Sequence, residues 1–204
     1  MPDTHHNPFH IGMRNVKTAL AATICAIVYF IFDQNPTFAC IGAIFGMGGD
    51  MGSSKLSGGN RFFGTVFGGV LGIILYRIHL IFYPEGGYTG LLLVLLFRVY
   101  IHFIPDGRYH PLLLVMLFIG VIVLILTSTA FHWAGAIQPG GVVLCIILFN
   151  TPVETYINYS VNRIIDTGIG VLVALAINWL FPRERVIAWL EKYHMRKKRL
   201  PNSK

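Results

Sequence analysis

Two arginines in matching apolar surroundings are the residues of this chain best placed to do chemistry. Arg61 opens the glycine-rich run NRFFGTVFGGVLG, and Arg163 stands in the same place in the later run NRIIDTGIGVLVA. A guanidinium group can bind a carboxylate through two parallel hydrogen bonds, which suits it to the recognition of organic anions. The sequence therefore predicts Arg61 and Arg163 as binding residues for a small organic acid.

Each arginine also has a simpler interpretation. Arg61 could anchor a helix by extending its side chain to the lipid headgroups. Asp166 lies three residues after Arg163 on the same helical face, so these two could form a structural ion pair. In the functional interpretation Asp166 competes with the substrate or carries a proton. Thr65 and Thr167, each four residues after its arginine, either contribute to substrate binding or bond to a backbone carbonyl one turn earlier.

The glycines of the two runs predict close helix packing. Gly64, Gly68 and Gly72 recur every four residues and so line one face of a helix. Inside a bilayer such a face lets a second helix approach closely, because helix association there depends on packing and hydrogen bonds. Gly170 and Ala174 occupy the corresponding positions in the second run. These five residues are interpreted as helix-packing positions.

The composition places both runs in a membrane. Hydrophobic residues make up 54% of the 204 residues and charged residues only 12%, about half the ~25% of an average soluble domain. Long runs without charge predict membrane-spanning helices. The net charge of +7 is concentrated near the carboxyl end, which favours contact with anionic lipids and argues against nucleic acid.

Six apolar segments are candidate spans, and the second and fifth are short and contain proline and glycine. They are residues 15–32, 36–50, 61–83, 111–131, 134–151 and 162–181. A seventh run, Leu91–Ile104, has Arg98 near its middle, which is costly at the centre of a bilayer. Basic residues precede the first span, separate the second from the third, and follow the last. An even number of crossings keeps all of them in the cytoplasm.

The predicted fold is an all-α, polytopic transmembrane bundle of about six spans in two related halves, with both termini cytoplasmic. If Leu91–Ile104 is re-entrant or interfacial, the halves run in opposite directions, as in many secondary transporters. The predicted organisation is a transmembrane bundle at 1–182, repeat halves at about 11–83 and 111–182, a linker at 84–110, and a basic amphipathic cytoplasmic tail at 183–204.

Other functional classes find little support in the sequence. Cys25, Cys40 and Cys145 lie within apolar segments, which fits packing better than a disulfide or a zinc site. The run GMGGDMGSSK lacks the lysine position of a phosphate-binding loop and predicts a turn at the end of a span. We expect no enzyme activity, no catalytic residue, no cofactor and no metal site.

Three runs resemble the aromatic acid exporter family, part of the fusaric-acid-resistance-like group of bacterial membrane proteins. They are GMRNVKTALAATICAIVYFI, NRFFGTVFGGVLG and NRIIDTGIGVLVALAINWLFP. The pattern R-x-x-G-T-x-x-G is formed by Arg61, Gly64, Thr65 and Gly68, and its looser counterpart by Arg163, Thr167 and Gly170. The resemblance implies a multi-pass protein of the bacterial cytoplasmic membrane that exports aromatic or other hydrophobic organic acids by means of the proton gradient.

The same resemblance bears on partners. Many relatives have a cytoplasmic domain or a duplicated membrane unit, and neither is evident in this sequence. We therefore expect a homo-oligomer or a partner subunit. The alternative to an exporter is a membrane scaffold or assembly module that acts with a partner protein and transports nothing.

Overall fold

The computed structural model describes residues 12–82 and 111–182, together with residues 185 and 188. Leu91–Ile104 and nearly all of the basic tail lie outside these described residues, so the re-entrant segment and the amphipathic tail stay predictions. Within the described ranges the secondary structure is helical. The helices are α1 (Met13–Ile31), α2 (Thr37–Gly46), α3 (Met51–Phe82), α4 (Pro111–Ala130), a 3₁₀ turn (Ala134–Ala136), α5 (Ile137–Asn150) and α6 (Tyr156–Leu180).

The prediction of a helical membrane protein is confirmed in its general form. Four of the described helices, α1, α3, α4 and α6, are long and apolar enough to cross a membrane. The second and fifth predicted segments form the shorter apolar helices α2 and α5. Six crossings and two inverted halves stay predictions, because a helix of α2's length is too short to span a bilayer in a regular way.

Helix α3 begins well before the apolar segment predicted from Arg61 onward. The Asp50 carboxylate accepts a hydrogen bond from the backbone N–H of Ser53 at 2.7 Å, and the Ser53 hydroxyl accepts one from the backbone N–H of Asp50 at 3.0 Å. This reciprocal pair is a capping box, which satisfies exposed N–H groups at a helix start. It lets the polar stretch after Met51 join the helix, although hydropathy alone gave no sign of it.

The first and fourth helices end in the same way. Asp33 and His132 both have positive φ, 52° and 59°. After α1, the Gln34 N–H bonds to the Tyr29 carbonyl, and after α4 the Trp133 N–H bonds to the Ser128 carbonyl. Each is a Schellman motif, in which a left-handed residue ends the helix and satisfies its last carbonyl groups. In both places a short helix follows.

The chain divides into two compact units. One unit contains Met1–Gly59 and Thr167–Lys204, and the other contains Asn60–Asp166. We call them the outer-sequence unit and the inner-sequence unit. The first combines α1, α2, the start of α3 and the second part of α6, whereas the second combines most of α3 with α4, α5 and the start of α6. The boundaries between the units fall within α3 and α6, so each of these two helices contributes to both units. The repeat halves stay a prediction.

Each unit has its own apolar core. In the outer-sequence unit small residues dominate, with Ala21 and Cys25 of α1 packed among Ala39, Ala43 and Ala174. In the inner-sequence unit the core is made of larger side chains from α3 to α6, namely Leu75, Tyr76, Leu113, Val143, Leu144, Ile147, Leu148 and Tyr156. Small core residues allow helices to approach more closely, so the two units use different kinds of packing.

Candidate functional site

The glycine face of α3 packs against α5 and the 3₁₀ turn inside the inner-sequence unit. A methyl group at Gly64 would lie 2.5 Å from the Ala136 carbonyl oxygen, and one at Gly68 would collide with the backbone of Gly140. At Gly72 it would lie 2.7 Å from the side chain of Ile147. Backbone meets backbone at Gly68, so that position has room for hydrogen and nothing larger.

The corresponding residues of α6 pack against α2 inside the outer-sequence unit. A methyl group at Gly170 would collide with the Ala39 carbonyl oxygen, and one at Gly42 would lie 2.8 Å from the Thr167 carbonyl oxygen. Ala174, one turn after Gly170, is fully buried in the core. In both units, therefore, a long helix uses small residues to approach a short helix closely.

Arg61 and Arg163 both belong to the inner-sequence unit. Neither stands at a helix end: Arg61 lies about three turns into α3, and Arg163 about two turns into α6. The two guanidinium groups are near enough for their charges to interact. Two like charges in a low-dielectric unit repel each other, and an anion between them relieves that repulsion. The sequence predicted one arginine in each half and could not show that folding brings both into one unit.

Arg163 is held by an aromatic neighbour one turn earlier. Its side chain is only 3% exposed, and its Nη1 donates a hydrogen bond of 3.1 Å to the Tyr159 hydroxyl oxygen. The guanidinium carbon also lies 5.8 Å from the centre of the Tyr159 ring, within the range of a cation–π contact. Arg61 is half-buried. The Tyr159 contacts orient the Arg163 side chain.

The two threonines and the aspartate of the predicted site are placed differently from one another. The Thr65 hydroxyl donates a 2.9 Å hydrogen bond to the Arg61 carbonyl. Of the two interpretations of Thr65, this contact corresponds to the bond with a backbone carbonyl one turn earlier. Thr167 is buried and belongs to the outer-sequence unit. Asp166 is half-buried and lies about one turn after Arg163, within the inner-sequence unit. Of the predicted binding and proton-coupling residues, Arg61, Thr65, Arg163 and Asp166 therefore share a unit.

An aromatic cluster in the inner-sequence unit was missed by the sequence reasoning. The rings of Phe63 and Trp133 have centroids 4.4 Å apart, and those of Phe67 and Phe131 are 5.6 Å apart and stacked. The cluster joins α3 to the connection that follows α4. The sequence did contain a sign of this cluster, because aromatic residues lie on both sides of His132. Among the many apolar residues of the neighbouring segments this pair did not stand out. Offset aromatic surfaces of this kind also suit aromatic ligands.

A buried polar network in the outer-sequence unit was also missed. Lys17 is 3% exposed, and its Nζ donates a 2.9 Å hydrogen bond to Asn178 Oδ1. The Asn178 Nδ2 and the Gly48 N–H each donate a 2.8 Å bond to Ser54 Oγ. In the sequence, Lys17 is one of the basic residues near the amino terminus that indicate a cytoplasmic side. Its burial could have been inferred from spacing: Lys17, Ala21 and Cys25 follow one another at four-residue intervals and so share the buried face of α1.

Metal ligands do not gather in the part of the chain that the structure describes. Within it, no group of three or more histidine, cysteine, aspartate or glutamate side chains could hold an ion. The inner-sequence unit contains two guanidinium groups, a carboxyl group and the aromatic cluster.

A comparison with known protein families finds a match over most of the chain. The family described as fusaric acid resistance protein-like matches residues 20–177, which is more than half of the chain. Comparisons with curated proteins and with solved structures found no match. The matched range includes both arginines, the glycine faces and Asp166.

Proposed function

The chain belongs to the fusaric acid resistance protein-like family, and from this membership and the arginine site we propose that it exports aromatic and other hydrophobic organic acids. The family indicates a membrane protein with a transport-related function. The observation that carries the finer proposal is the presence of two interacting arginines, Arg61 and Arg163, in one membrane-embedded unit.

The two arginines supply a site for a carboxylate. Arg163 is buried, and a buried cation is stabilised most by an anion that also accepts its hydrogen bonds. A substrate carboxylate can contact Arg163 and at the same time reduce its repulsion with Arg61. Each arginine lies within a long helix, which holds it more firmly than a loop would.

The apolar part of the substrate is accommodated by the aromatic cluster. Phe63 is partly exposed and Phe131 largely exposed, so both rings keep surface for a ligand. An aromatic acid stacks on such rings in an offset or edge-on geometry, which adds about 0.5–1.5 kcal/mol beyond the burial of its area. The same unit thus offers contacts for the charged and the apolar part of one molecule.

Asp166 is the proposed proton-coupling residue. It lies on the same helix face as Arg163 and, when ionised, attracts the guanidinium group that the substrate also needs. When Asp166 binds a proton, that competition ends and Arg163 becomes available to the carboxylate. Binding of a proton at Asp166 and binding of the substrate at Arg163 are thereby linked.

Transport into inside-out membrane vesicles tests the proposal. The vesicles contain the full chain, a pH gradient is imposed in one direction or the other or left out, and uptake of radiolabelled aromatic and aliphatic carboxylates is followed. We expect gradient-dependent uptake that Arg163→Gln lowers about tenfold or more, the loss of a charge-assisted hydrogen bond worth about 1.5–3 kcal/mol. Arg14→Gln, an exposed arginine of α1, is the matched control and should keep normal uptake.

Two further variants separate binding from coupling. Arg163→Lys keeps the charge but loses the two-pronged geometry, so it should raise the KM for the carboxylate. Asp166→Asn should bind the substrate yet lose the dependence on the pH gradient. Normal uptake by Arg163→Gln refutes the arginine site. Absence of uptake across the whole panel, with folded protein and a stable co-purifying partner, favours the scaffold instead.

A further inference from the structure

A cavity of about 460 Å³ lies between α1 and the end of α6 inside the outer-sequence unit. Its walls include Val16, Lys17 and Leu20 of α1, and Leu180, Phe181 and Arg185 at the end of α6 and beyond. A cavity of this volume is large enough for a drug-sized ligand or for part of a lipid. Two cations and several apolar side chains meet here, and none of the described residues that line the cavity is acidic.

Lys17 enters the cavity with an unbalanced charge. Its ammonium group has three hydrogen-bond donors, and its acceptor among the described residues is the neutral amide oxygen of Asn178 at 2.9 Å. No carboxylate in the described part of the chain forms an ion pair with it. A buried cation is costly unless an anion accompanies it. An anionic group from outside the chain would supply that charge, and Arg185 at the same cavity increases the attraction.

The apolar walls belong to the outside of the molecule. Val16 is 52% exposed and Leu180 is 56% exposed, so the cavity is open at the surface. Lys17 lies near the start of α1, and Arg185 follows Pro182 just after α6 ends. Cations at helix ends with apolar residues directly beside them match the boundary between lipid headgroups and acyl chains.

We propose that this cavity binds one anionic phospholipid. Its phosphate contacts Lys17 and Arg185, and an acyl chain covers Val16, Leu20, Leu180 and Phe181. A second copy of the chain is a poorer occupant, because a symmetric contact at this face would bring the same cations together. The inference is independent of the export function, which depends on residues of the other unit.

Native mass spectrometry of the purified full chain tests the proposal. The protein is titrated with phosphatidylglycerol and, separately, with phosphatidylcholine of the same acyl chains. We expect one saturable phosphatidylglycerol site that binds at least tenfold more tightly than phosphatidylcholine. Arg185→Gln should lower that affinity about tenfold, and Val16→Trp, which fills the cavity, should lower the affinity for both lipids.

The controls make the outcome decisive. Arg14→Gln removes an exposed arginine of the same helix α1 that does not line this cavity, and it should leave phosphatidylglycerol binding unchanged. Lys17→Gln should also weaken phosphatidylglycerol binding if the variant folds. If it does not fold, the result with Arg185→Gln decides whether the proposal holds. Equal binding of the two lipids, an equal loss in Arg14→Gln, displacement by benzoate or decanoate, or a lipid-free dimer would each overturn the proposal.

Discussion

The two units of this chain hold their buried cations in opposite ways. In the outer-sequence unit, Lys17 of α1 bonds to Asn178 of α6, which in turn bonds to Ser54 of α3, so one cation ties three helices together. In the inner-sequence unit, Arg163 bonds to Tyr159 of its own helix and has a second arginine, Arg61, near it. The first arrangement links three helices through neutral polar groups, whereas the second places two guanidinium groups in one unit.

The helix crossings, in contrast, are alike. Gly68 of α3 meets the backbone of α5, and Gly170 of α6 meets the backbone of α2. Matching motifs thus produce matching contacts with a short helix, although the cations beside them differ in role. We infer that these two helix crossings are under the same constraint, although the cores around them and the polar chemistry of the two units differ.

The largest expected effect is loss of stability when either crossing is widened. Gly68→Ala and Gly170→Ala each place a methyl group against a backbone carbonyl, which cannot move aside as a flexible side chain can. Overpacking of this kind costs about 1–3 kcal/mol and occasionally more. Thermal unfolding in detergent should show a lower Tm for both variants, by similar amounts.

Gly141→Ala is the matched control for these crossings. Gly141 also lies within a helix, in this case the short helix α5, but a methyl group there would meet no atom within 4 Å. Alanine is favoured over glycine in a helix by up to about 1 kcal/mol, so this variant should be as stable as the wild type or more so. If Gly68→Ala and Gly170→Ala behave like Gly141→Ala, the two crossings are not close backbone contacts.

The next effect separates the two cations. Lys17→Met leaves the Asn178 amide oxygen buried without its donor, which costs about 1–3 kcal/mol of stability. Arg163→Met loses the hydrogen bond to Tyr159 but also relieves the repulsion with Arg61, so it should cost less stability than Lys17→Met while abolishing transport. Chemical denaturation and vesicle uptake, measured on both variants, give the comparison.

The contradicting result is a reversal of the two phenotypes. A stable Lys17→Met protein that fails to transport would place the substrate cation in the outer-sequence unit. An Arg163→Met protein that unfolds early but transports normally while folded would make Arg163 a structural residue. Either outcome would remove the functional difference that we draw between the units.

A smaller effect concerns pH and the start of α3. The hydrogen bond from the Ser53 backbone N–H lowers the pKa of the exposed Asp50 carboxyl below its ordinary value. Because the folded pKa is the lower one, the bond contributes stability above the unfolded pKa of about 3.9, and this contribution is lost as pH falls through the folded pKa. Helix α6 begins differently from α3. It follows a turn in which the Thr155 N–H bonds to the backbone carbonyl of Pro152, which does not titrate.

Asp50→Asn isolates this effect. Asparagine can still cap the helix but does not titrate, so the variant should lose part of the acid dependence of stability that the wild type shows below about pH 4. Tm values measured between neutral pH and pH 3 in one detergent give the comparison. If the Tm of the two proteins falls by the same amount as the pH is lowered, the Asp50 carboxylate is not a stabilising cap.

The sequence predicted the features that depend on local pattern. Hydropathy located the helices, and four-residue spacing identified the close-packing positions Gly68 and Gly170. It could not predict the start of α3 at Met51, because a capping box stabilises a polar stretch that no hydropathy window includes. It also could not bring Arg61 and Arg163 into one unit or join Lys17 to Asn178, because such contacts depend on how distant helices pack.

The smallest expected effect compares the ends of α1 and α4. Asp33 and His132 both hold the left-handed position of a Schellman motif, where a residue with a side chain costs about 1–2 kcal/mol more than glycine. Asp33→Gly and His132→Gly relieve that cost but gain entropy in the unfolded chain, so each should raise stability by less than about 1 kcal/mol. Equal small increases in Tm would show that the two helix ends are structural equivalents. A decrease in only one variant would mean that its side chain makes a contact that the other lacks, and the likeness of the two helix ends would then be limited to the backbone.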